Sequence, residues 1–165
     1  MVIKMGCHKP KTLCETLFGP KNYLEELITD LCAAAYKEEW ETVDGRVKEI
    51  SLYNSEKVFK KLQERALFVL TDGNQRDLAY TIVAELDVKS LSKASRTELN
   101  KAVRDGVKDP WIYARFRASI AAVKYEFYIE YGKNEQKMIV STLGYIVETE
   151  PDLAELAKTY LSKLA

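Results

Sequence analysis

Hydrophobic residues recur along most of the chain at intervals of three and four, the spacing of one face of an α-helix. The first such stripe, between Lys21 and Trp40, consists of Leu24, Leu27, Ile28, Leu31 and Ala35. Further stripes follow in residues 58–70, 78–86, 112–131, 138–147 and 153–164, and short connections between such helices favour antiparallel neighbours. The pattern predicts an all-α protein, a helical bundle of about six helices, in a single α-helical domain spanning residues 1–165. Residues 1–20 carry no sustained periodicity and are expected to form an irregular lead-in.

The periodicity changes between Glu41 and Tyr53. Asp44 and Gly45 form a strong two-residue turn signal, and apolar residues such as Val47 and Ile50 follow it among polar ones. The segment 41–53 therefore admits a small β-hairpin, which would have to lie against the helices to be stable.

Three positions indicate where helices begin. Asn54 has the side chain of a helix N-cap, and Pro151 suits the first turn of the last helix. Asp109 and Pro110 predict the start of a long helix that runs unbroken to Tyr131, where Gly132 follows.

The composition narrows the class of protein. The 165 residues include 25 Lys plus Arg and 25 Asp plus Glu, and the formal charge is zero. The N-terminus lacks the pattern of a signal peptide, and no apolar run approaches the roughly 20 residues of a membrane span. With three cysteines in no regular framework, we expect a cytoplasmic protein with reduced thiols and no membrane partner.

The chain contains no catalytic motif. Its single histidine, His8, has no positioned partner, and glycine-rich phosphate loops, HExxH and EF-hand patterns do not occur. We therefore expect no enzymatic activity and no cofactor; an enzyme whose residues meet only in the fold is the least favoured reading. Cys7, His8, Cys14 and Cys32 could supply four zinc ligands, but their spacing matches no standard finger. No metal site is assigned, and metal binding by these four residues stays open.

The zero net charge conceals a basic segment. Between Asp87 and Lys124 nine basic residues accompany four acidic ones, whereas the remaining C-terminal residues carry four basic and seven acidic ones. Helical geometry places Tyr113, Arg117, Lys124 and Tyr128 within an arc of about 60° on the flank of the predicted long helix. Lysine and arginine neutralise phosphates and tyrosine rings stack on bases, so this flank is typical of single-stranded nucleic-acid binding.

Other basic residues extend this candidate surface. Lys101, Arg104 and Lys108 precede the long helix and would form a basic groove with it. In the alternative interpretation, the tyrosines pack at the rim of the core and the cations pair with carboxylates of neighbouring helices.

The middle of the chain, from Leu70 to Leu143, resembles the small α-helical subunits of CRISPR effector complexes of the type III and related groups. The resemblance rests on Thr71-Asp72-Gly73-Asn74-Gln75-Arg76, a polar turn that leads into a Gln-Arg-bearing helix, and on the basic aromatic helix Trp111-Ile112-Tyr113-Ala114-Arg115-Phe116-Arg117. Gln and Arg adjoin here, whereas an apolar residue separates them in the family pattern. Such subunits are not enzymes; they contact RNA or single-stranded DNA through basic faces. The resemblance implies nucleic-acid contacts at Arg76, Arg104, Arg115, Arg117 and Lys124.

Two functions follow as expectations. The first is a non-catalytic subunit of a ribonucleoprotein complex that contacts RNA or single-stranded DNA through a basic helical face, with other protein subunits and further copies of itself as partners. The second is a helical protein interaction module, a viral or regulatory adaptor, in which Tyr36, Trp40 and Trp111 form an apolar contact patch.

Overall fold

The computed structural model describes residues 20–165, with side chains from Tyr23 onward, and in this part of the chain every regular element is helical. The α-helices are α1 (Pro20–Tyr36), α2 (Trp40–Val47), α3 (Ser55–Glu64), α4 (Gly73–Val83), α5 (Lys93–Gly106), α6 (Ile112–Lys124), α7 (Lys133–Thr149) and α8 (Pro151–Leu161). Short 3₁₀ helices cover Lys48–Leu52, Leu67–Val69, Val88–Ser90, Phe127–Glu130 and Ser162–Leu164. The predicted all-α class is confirmed.

Helices α4 and α6 form the centre of the molecule and pack against each other. From Asp77 to Val83, every residue of α4 is buried. On one side α1 and α2 cover α4; on the other, α5, α7 and α8 contact α6. One hydrophobic cluster contains residues of all these helices, and it includes the fully buried rings of Phe59 and Phe116.

A glycine sets the distance between α5 and its neighbours. Gly106 lies against the ring of Tyr80 on α4 and the methyl group of Ala118 on α6, where a Cβ would overlap both. The Tyr80 hydroxyl donates a hydrogen bond to the carbonyl oxygen of Ala102 at 3.1 Å. The close approach of three helices at this point therefore depends on the absence of a side chain at position 106.

Two of the predicted helix starts are confirmed. The side chain of Asn54 accepts a hydrogen bond from the backbone N–H of Lys57 at 3.1 Å and caps α3. Pro151 is the first residue of α8. The lead-in predicted for residues 1–20 lies outside the described residues except for Pro20, which begins α1.

The β-hairpin predicted for residues 41–53 is wrong. Residues 40–52 form α2 and a 3₁₀ helix, and Asp44 and Gly45 lie inside α2. Val43, Val47 and Ile50, which are spaced by four and three residues, are all buried. This spacing buries the apolar side chains only in a helix, so core packing overrides the turn preference of Asp-Gly. The part of the chain that the structure describes accordingly has eight α-helices where about six were expected.

The prediction of one long helix from Asp109 to Tyr131 is also wrong. The observed helix α6 begins after Pro110, with Trp111 as its extended N-cap residue, and ends at Lys124. Glu126 adopts the left-handed conformation at φ 60°, and a 3₁₀ helix follows. Ala66, at φ 53°, separates α3 from its 3₁₀ helix in the same way. At both places the left-handed residue turns the chain so that the next apolar residue, Leu67 or Phe127, enters the core.

None of the helices in residues 20–165 combines the length and the apolar character that a bilayer crossing requires.

Candidate functional site

The guanidinium group of Arg76 is held by the protein itself. Its Nε and Nη2 donate to the two carboxylate oxygens of Asp109 at 2.7 and 2.9 Å. Its Nη1 donates to the carbonyl oxygens of Leu70 and Thr71 at 2.7 and 3.0 Å. Asp109 is buried, with 7% of its side chain exposed, and Arg76 is largely shielded, with 13% exposed. Arg76 thus connects the start of α4 to the loop before α6.

Arg117 and Lys124 lie on the flank of α6 that faces α4. Arg117 forms ion pairs with Asp77 at 3.7 Å and with Asp44 at 3.6 Å, and only 14% of its side chain is exposed. The amine of Lys124 donates to the carbonyl oxygen of Ala84, just after α4. The two cations share one edge, as expected, and that edge contacts a neighbouring helix.

Arg115 and the two tyrosines predicted beside it have separate environments. Arg115 donates from Nε to the hydroxyl of Thr142 and from Nη1 to the carbonyl oxygen of Asp109, each at 3.2 Å. The hydroxyl of Tyr113 donates to Glu150 at 2.8 Å, and this bond raises the pKa of the phenol. Tyr128 is half-buried in the 3₁₀ helix beyond the end of α6. The structure therefore does not bring Tyr113 and Tyr128 to one helical edge.

Three predicted basic residues remain exposed on α5 and just beyond its end. Lys101 and Arg104 are three residues apart on α5, and Lys108 lies in the turn that follows this helix. Arg104 pairs with Glu135 at 3.0 Å and lies 5.6 Å from the centre of the Tyr131 ring; Lys108 pairs with Asp105 at 3.8 Å. Side-chain exposures of 48% for Arg104 and 46% for Lys108 leave both accessible. We call these three residues the α5 basic stripe.

A concave feature of the described residues lies elsewhere. A cleft of about 550 Å³ opens between the α1–α2 turn, α2, the first turns of α4 and α6, and the junction of α7 and α8. Its lining residues are Glu38, Trp40, Glu41, Asp44, Asn74, Asp77, Trp111, Tyr113, Arg117, Glu150, Asp152 and Leu153. Six of these are carboxylic acids and one is a cation. We call this feature the acidic cleft.

Aromatic side chains form part of the wall of the acidic cleft. The rings of Trp111 and Tyr113 lie 5.6 Å apart in an edge-to-face arrangement, at 68° to one another. Gly73, the first residue of α4, allows the indole of Trp111 to pack closely, because a Cβ there would lie 2.5 Å from Cγ of the indole. Trp40, at the start of α2, lines the same cleft. Of the aromatic patch predicted from the sequence, Trp40 and Trp111 line the same cleft, whereas Tyr36 is not among the lining residues.

Asp77 is the buried acid of the cleft. Burial raises the pKa of its carboxyl group from 3.8 to about 7, against the opposing attraction of Arg117. The hydroxyl of Thr81 donates to its Oδ1 at 3.3 Å. The negative charge of Asp44 raises the pKa further. The charge of the Asp77 side chain therefore changes near neutral pH. Glu41 and Asp152, in contrast to the buried Asp77, lie exposed at the rim of the cleft.

Three of the four candidate zinc ligands, Cys7, His8 and Cys14, lie outside the described residues. Cys32 is half-buried in α1, where burial raises the pKa of its thiol. In residues 20–165 no three His, Cys, Asp or Glu side chains are grouped as metal ligands.

Comparisons with protein-family models, curated proteins and solved structures found no match.

The sequence interpretation missed the acids of the cleft. Glu38, Glu41 and Asp44 surround Trp40 in the sequence, and Glu150 and Asp152 surround Pro151. The signal that could have indicated the cleft was an excess of acidic residues in these two segments, each of which lies at the start of a helix. What the sequence does not contain is the packing that brings both groups to Trp111.

Proposed function

We propose that the protein is a non-catalytic binding module that holds a positively charged segment of a partner protein in the acidic cleft. The observation that carries this proposal is the composition of the cleft wall: six carboxylic acids, three large aromatic rings and only one cation, Arg117. This is the second of the two functions expected from the sequence, with the chemistry of the partner now specified.

The electrostatics of the cleft favour a cationic ligand. Arg117 forms ion pairs with both Asp44 and Asp77, at N···O distances of 3.6 and 3.7 Å. One cation therefore pairs with two acids. The acids Glu41 and Asp152 form no ion pair within the described part of the chain. Phosphates would be repelled here, whereas lysine and arginine side chains would gain from the local potential.

The aromatic rings support the same ligand class. Cations bind over the faces of tryptophan and tyrosine, with about 0.5–2 kcal/mol for each contact according to its exposure. Trp111 is 39% exposed, and its ring packs against Gly73 and the edge of Tyr113. Because a ring that is already packed loses less conformational freedom on binding than a free one, Trp111 is the proposed anchor for the aliphatic and cationic parts of a bound side chain.

A charge-matched pair of double variants tests the proposal. Binding of a lysine- and arginine-rich peptide is measured by calorimetry in the wild type, in Glu41→Gln with Asp152→Asn, and in Glu64→Gln with Asp105→Asn. Both double variants remove two exposed acids, but only the first pair lines the acidic cleft. We expect at least a tenfold loss of affinity for the first and little change for the second. An equal loss in both would reduce the interaction to general charge attraction and refute the site.

We propose nucleic-acid binding as a second candidate function, because the α5 basic stripe is exposed and one of its cations, Arg104, lies 5.6 Å from the centre of the Tyr131 ring. This candidate corresponds to the resemblance to small CRISPR subunits and to a place in a ribonucleoprotein complex.

The second candidate has its own experiment. Affinity for a single-stranded RNA oligonucleotide is compared between wild type and Lys101→Glu with Lys108→Glu across a range of salt concentrations. If the stripe neutralises several phosphates, the affinity of the wild type should fall steeply as the salt concentration rises. The affinity of the variant should fall less steeply, because two of the cations have been removed. Binding that does not depend on salt, or that the variant retains in full, would remove the stripe as a nucleic-acid site.

A further inference from the structure

The outward face of α7 combines exposed apolar residues with charges of both signs. Val140 and Tyr145 are 47% and 50% exposed. Lys133 and Lys137 lie toward the N-terminal end of this face and Glu148 toward the C-terminal end. None of these three charged side chains forms an ion pair within residues 20–165. We call the set Lys133, Lys137, Val140, Ser141, Gly144, Tyr145 and Glu148 the α7 face.

From this distribution we infer that two copies of the chain associate through their α7 faces, with the helices antiparallel. At 100° per residue, Lys137, Ser141, Gly144 and Glu148 lie within about 60° of one another, opposite the buried residues Ile139 and Ile146. A two-fold axis beside Ser141 places Lys133 of one copy next to Glu148 of the second copy, and the same contact occurs again on the other side of the axis.

Charge complementarity selects both the occupant and the direction. In a parallel pairing of two copies, Lys133 and Lys137 would face their own equivalents, and so would Glu148. The antiparallel pairing replaces these repulsions with two attractive pairs. It also brings Lys137 of one copy to the height of Tyr145 of the second copy, where an ammonium group can contact the phenol ring. The α7 face is therefore complementary in charge to the same face of a second, antiparallel copy.

The middle of the face permits close approach. A Cβ at Gly144 would meet no atom within 4 Å, and Ser141 beside it is small and exposed. Shallow grooves of about 360 Å³, with mixed polar and apolar linings, lie on both sides of Ser141: Ile112, Arg115 and Tyr145 line one, and Lys133, Lys137 and Val140 line the other. The second copy can thus approach the backbone at the axis while Val140 and Tyr145 lose their contact with water.

Charge exchange provides the test, with full-length protein in every arm. Sedimentation velocity is recorded for wild type at increasing concentration up to about 1 mM, a range that detects weak association. We expect the wild type to shift from monomer to dimer. Lys133→Glu alone and Glu148→Lys alone should each weaken the dimer at least tenfold. The double variant Lys133→Glu with Glu148→Lys should associate as the wild type does, because the exchange restores both pairs.

Lys93→Glu is the matched control, since it reverses one exposed lysine near the start of α5 and should leave the dimer unchanged. Circular dichroism of each variant verifies that the fold is intact. A wild type that stays monomeric at the highest concentration would overturn the inference, and so would a dimer that tolerates both single reversals. Failure of the double variant to regain association while helical content is unchanged would overturn the antiparallel pairing.

Discussion

Asp77 links the acidic cleft to the stability of the fold, and the variant Asp77→Asn tests this link. Its carboxyl group is buried on α4 with Arg117 and Thr81 as neighbours. Burial raises its pKa in the folded protein to about 7 from an ordinary value of 3.8. The amide of asparagine has nearly the same shape and never ionises, so the comparison isolates the cost of the buried charge.

The sign follows from proton binding. Below about pH 4 the carboxyl group is protonated in both the folded and the unfolded chain. Between about pH 4 and 7 the unfolded chain has released the proton and the folded protein retains it, so the free energy of unfolding falls as the pH rises. A difference of about three pH units at 1.36 kcal/mol each corresponds to about 4 kcal/mol, lost across this window and complete above about pH 7.

Urea denaturation of wild type and Asp77→Asn at intervals from about pH 4 to 8 measures the effect. The free energy of unfolding of the wild type, minus that of the variant, should decrease by about 4 kcal/mol across the series. Asp105→Asn, which changes a carboxylate with 64% of its side chain exposed, is the control and should give a nearly flat difference. Parallel pH profiles for wild type and Asp77→Asn would refute the argument that burial dominates over the attraction of Arg117.

Three further predictions concern the fold. Arg76→Ala should lower the free energy of unfolding by about 3–5 kcal/mol in urea titrations, because it leaves Asp109 buried without its partner, whereas Arg104→Ala, at a half-exposed pair, should cost less than about 1 kcal/mol. Gly45→Ala should raise the melting temperature, with a gain of about 0.5–1 kcal/mol in an exposed helix; a loss would indicate the turn that the sequence suggested. Gly106→Ala should destabilise the protein by about 1–3 kcal/mol in the same assay, since its Cβ overlaps a packed ring; a neutral result would contradict the close helix contact.

The helices with strong periodicity could be predicted from the sequence, and the places where the prediction failed share one cause. Asp44 and Gly45 have a local preference for a turn, but burial of Val43 and Val47 requires a helix there. Local preference amounts to less than the free energy of burying two such side chains. The hairpin prediction weighed the turn more heavily than the spacing.

The break after α6 could not be read from local sequence. Glu126 adopts a left-handed conformation although it is not glycine. The hydroxyl of Tyr125, just before it, donates to the carbonyl oxygens of Val83 and Leu86 at 2.7 and 2.9 Å. These contacts with the end of α4 hold the chain at the position where it turns. They exist only in the folded protein, so no sequence window around Glu126 contains them.

The candidate sites could be predicted only in part for the same reason. Helical geometry placed Arg117 and Lys124 on one edge of α6, where the structure has them, but it also placed Tyr128 there, which lies in the 3₁₀ helix beyond α6. Which edge is covered by a neighbouring helix depends on contacts between distant segments. The same contacts bring the acids of α2 and α8 to Trp111 and so create the acidic cleft.

The contacts of Arg76, Arg115 and Arg117 have a consequence for covalent labelling. Their guanidinium groups bind carboxylates and carbonyl oxygens inside the protein, whereas the amines of Lys101 and Lys108 extend into solvent. A dicarbonyl reagent would therefore modify these three guanidinium groups only in an opened chain, whereas Arg104, which is 48% exposed, would react in the folded protein. An acylating reagent that reacts with amines would change the isoelectric point while the helices stay folded. Modification of these three arginines and modification of the two lysines would thus report different states of one molecule.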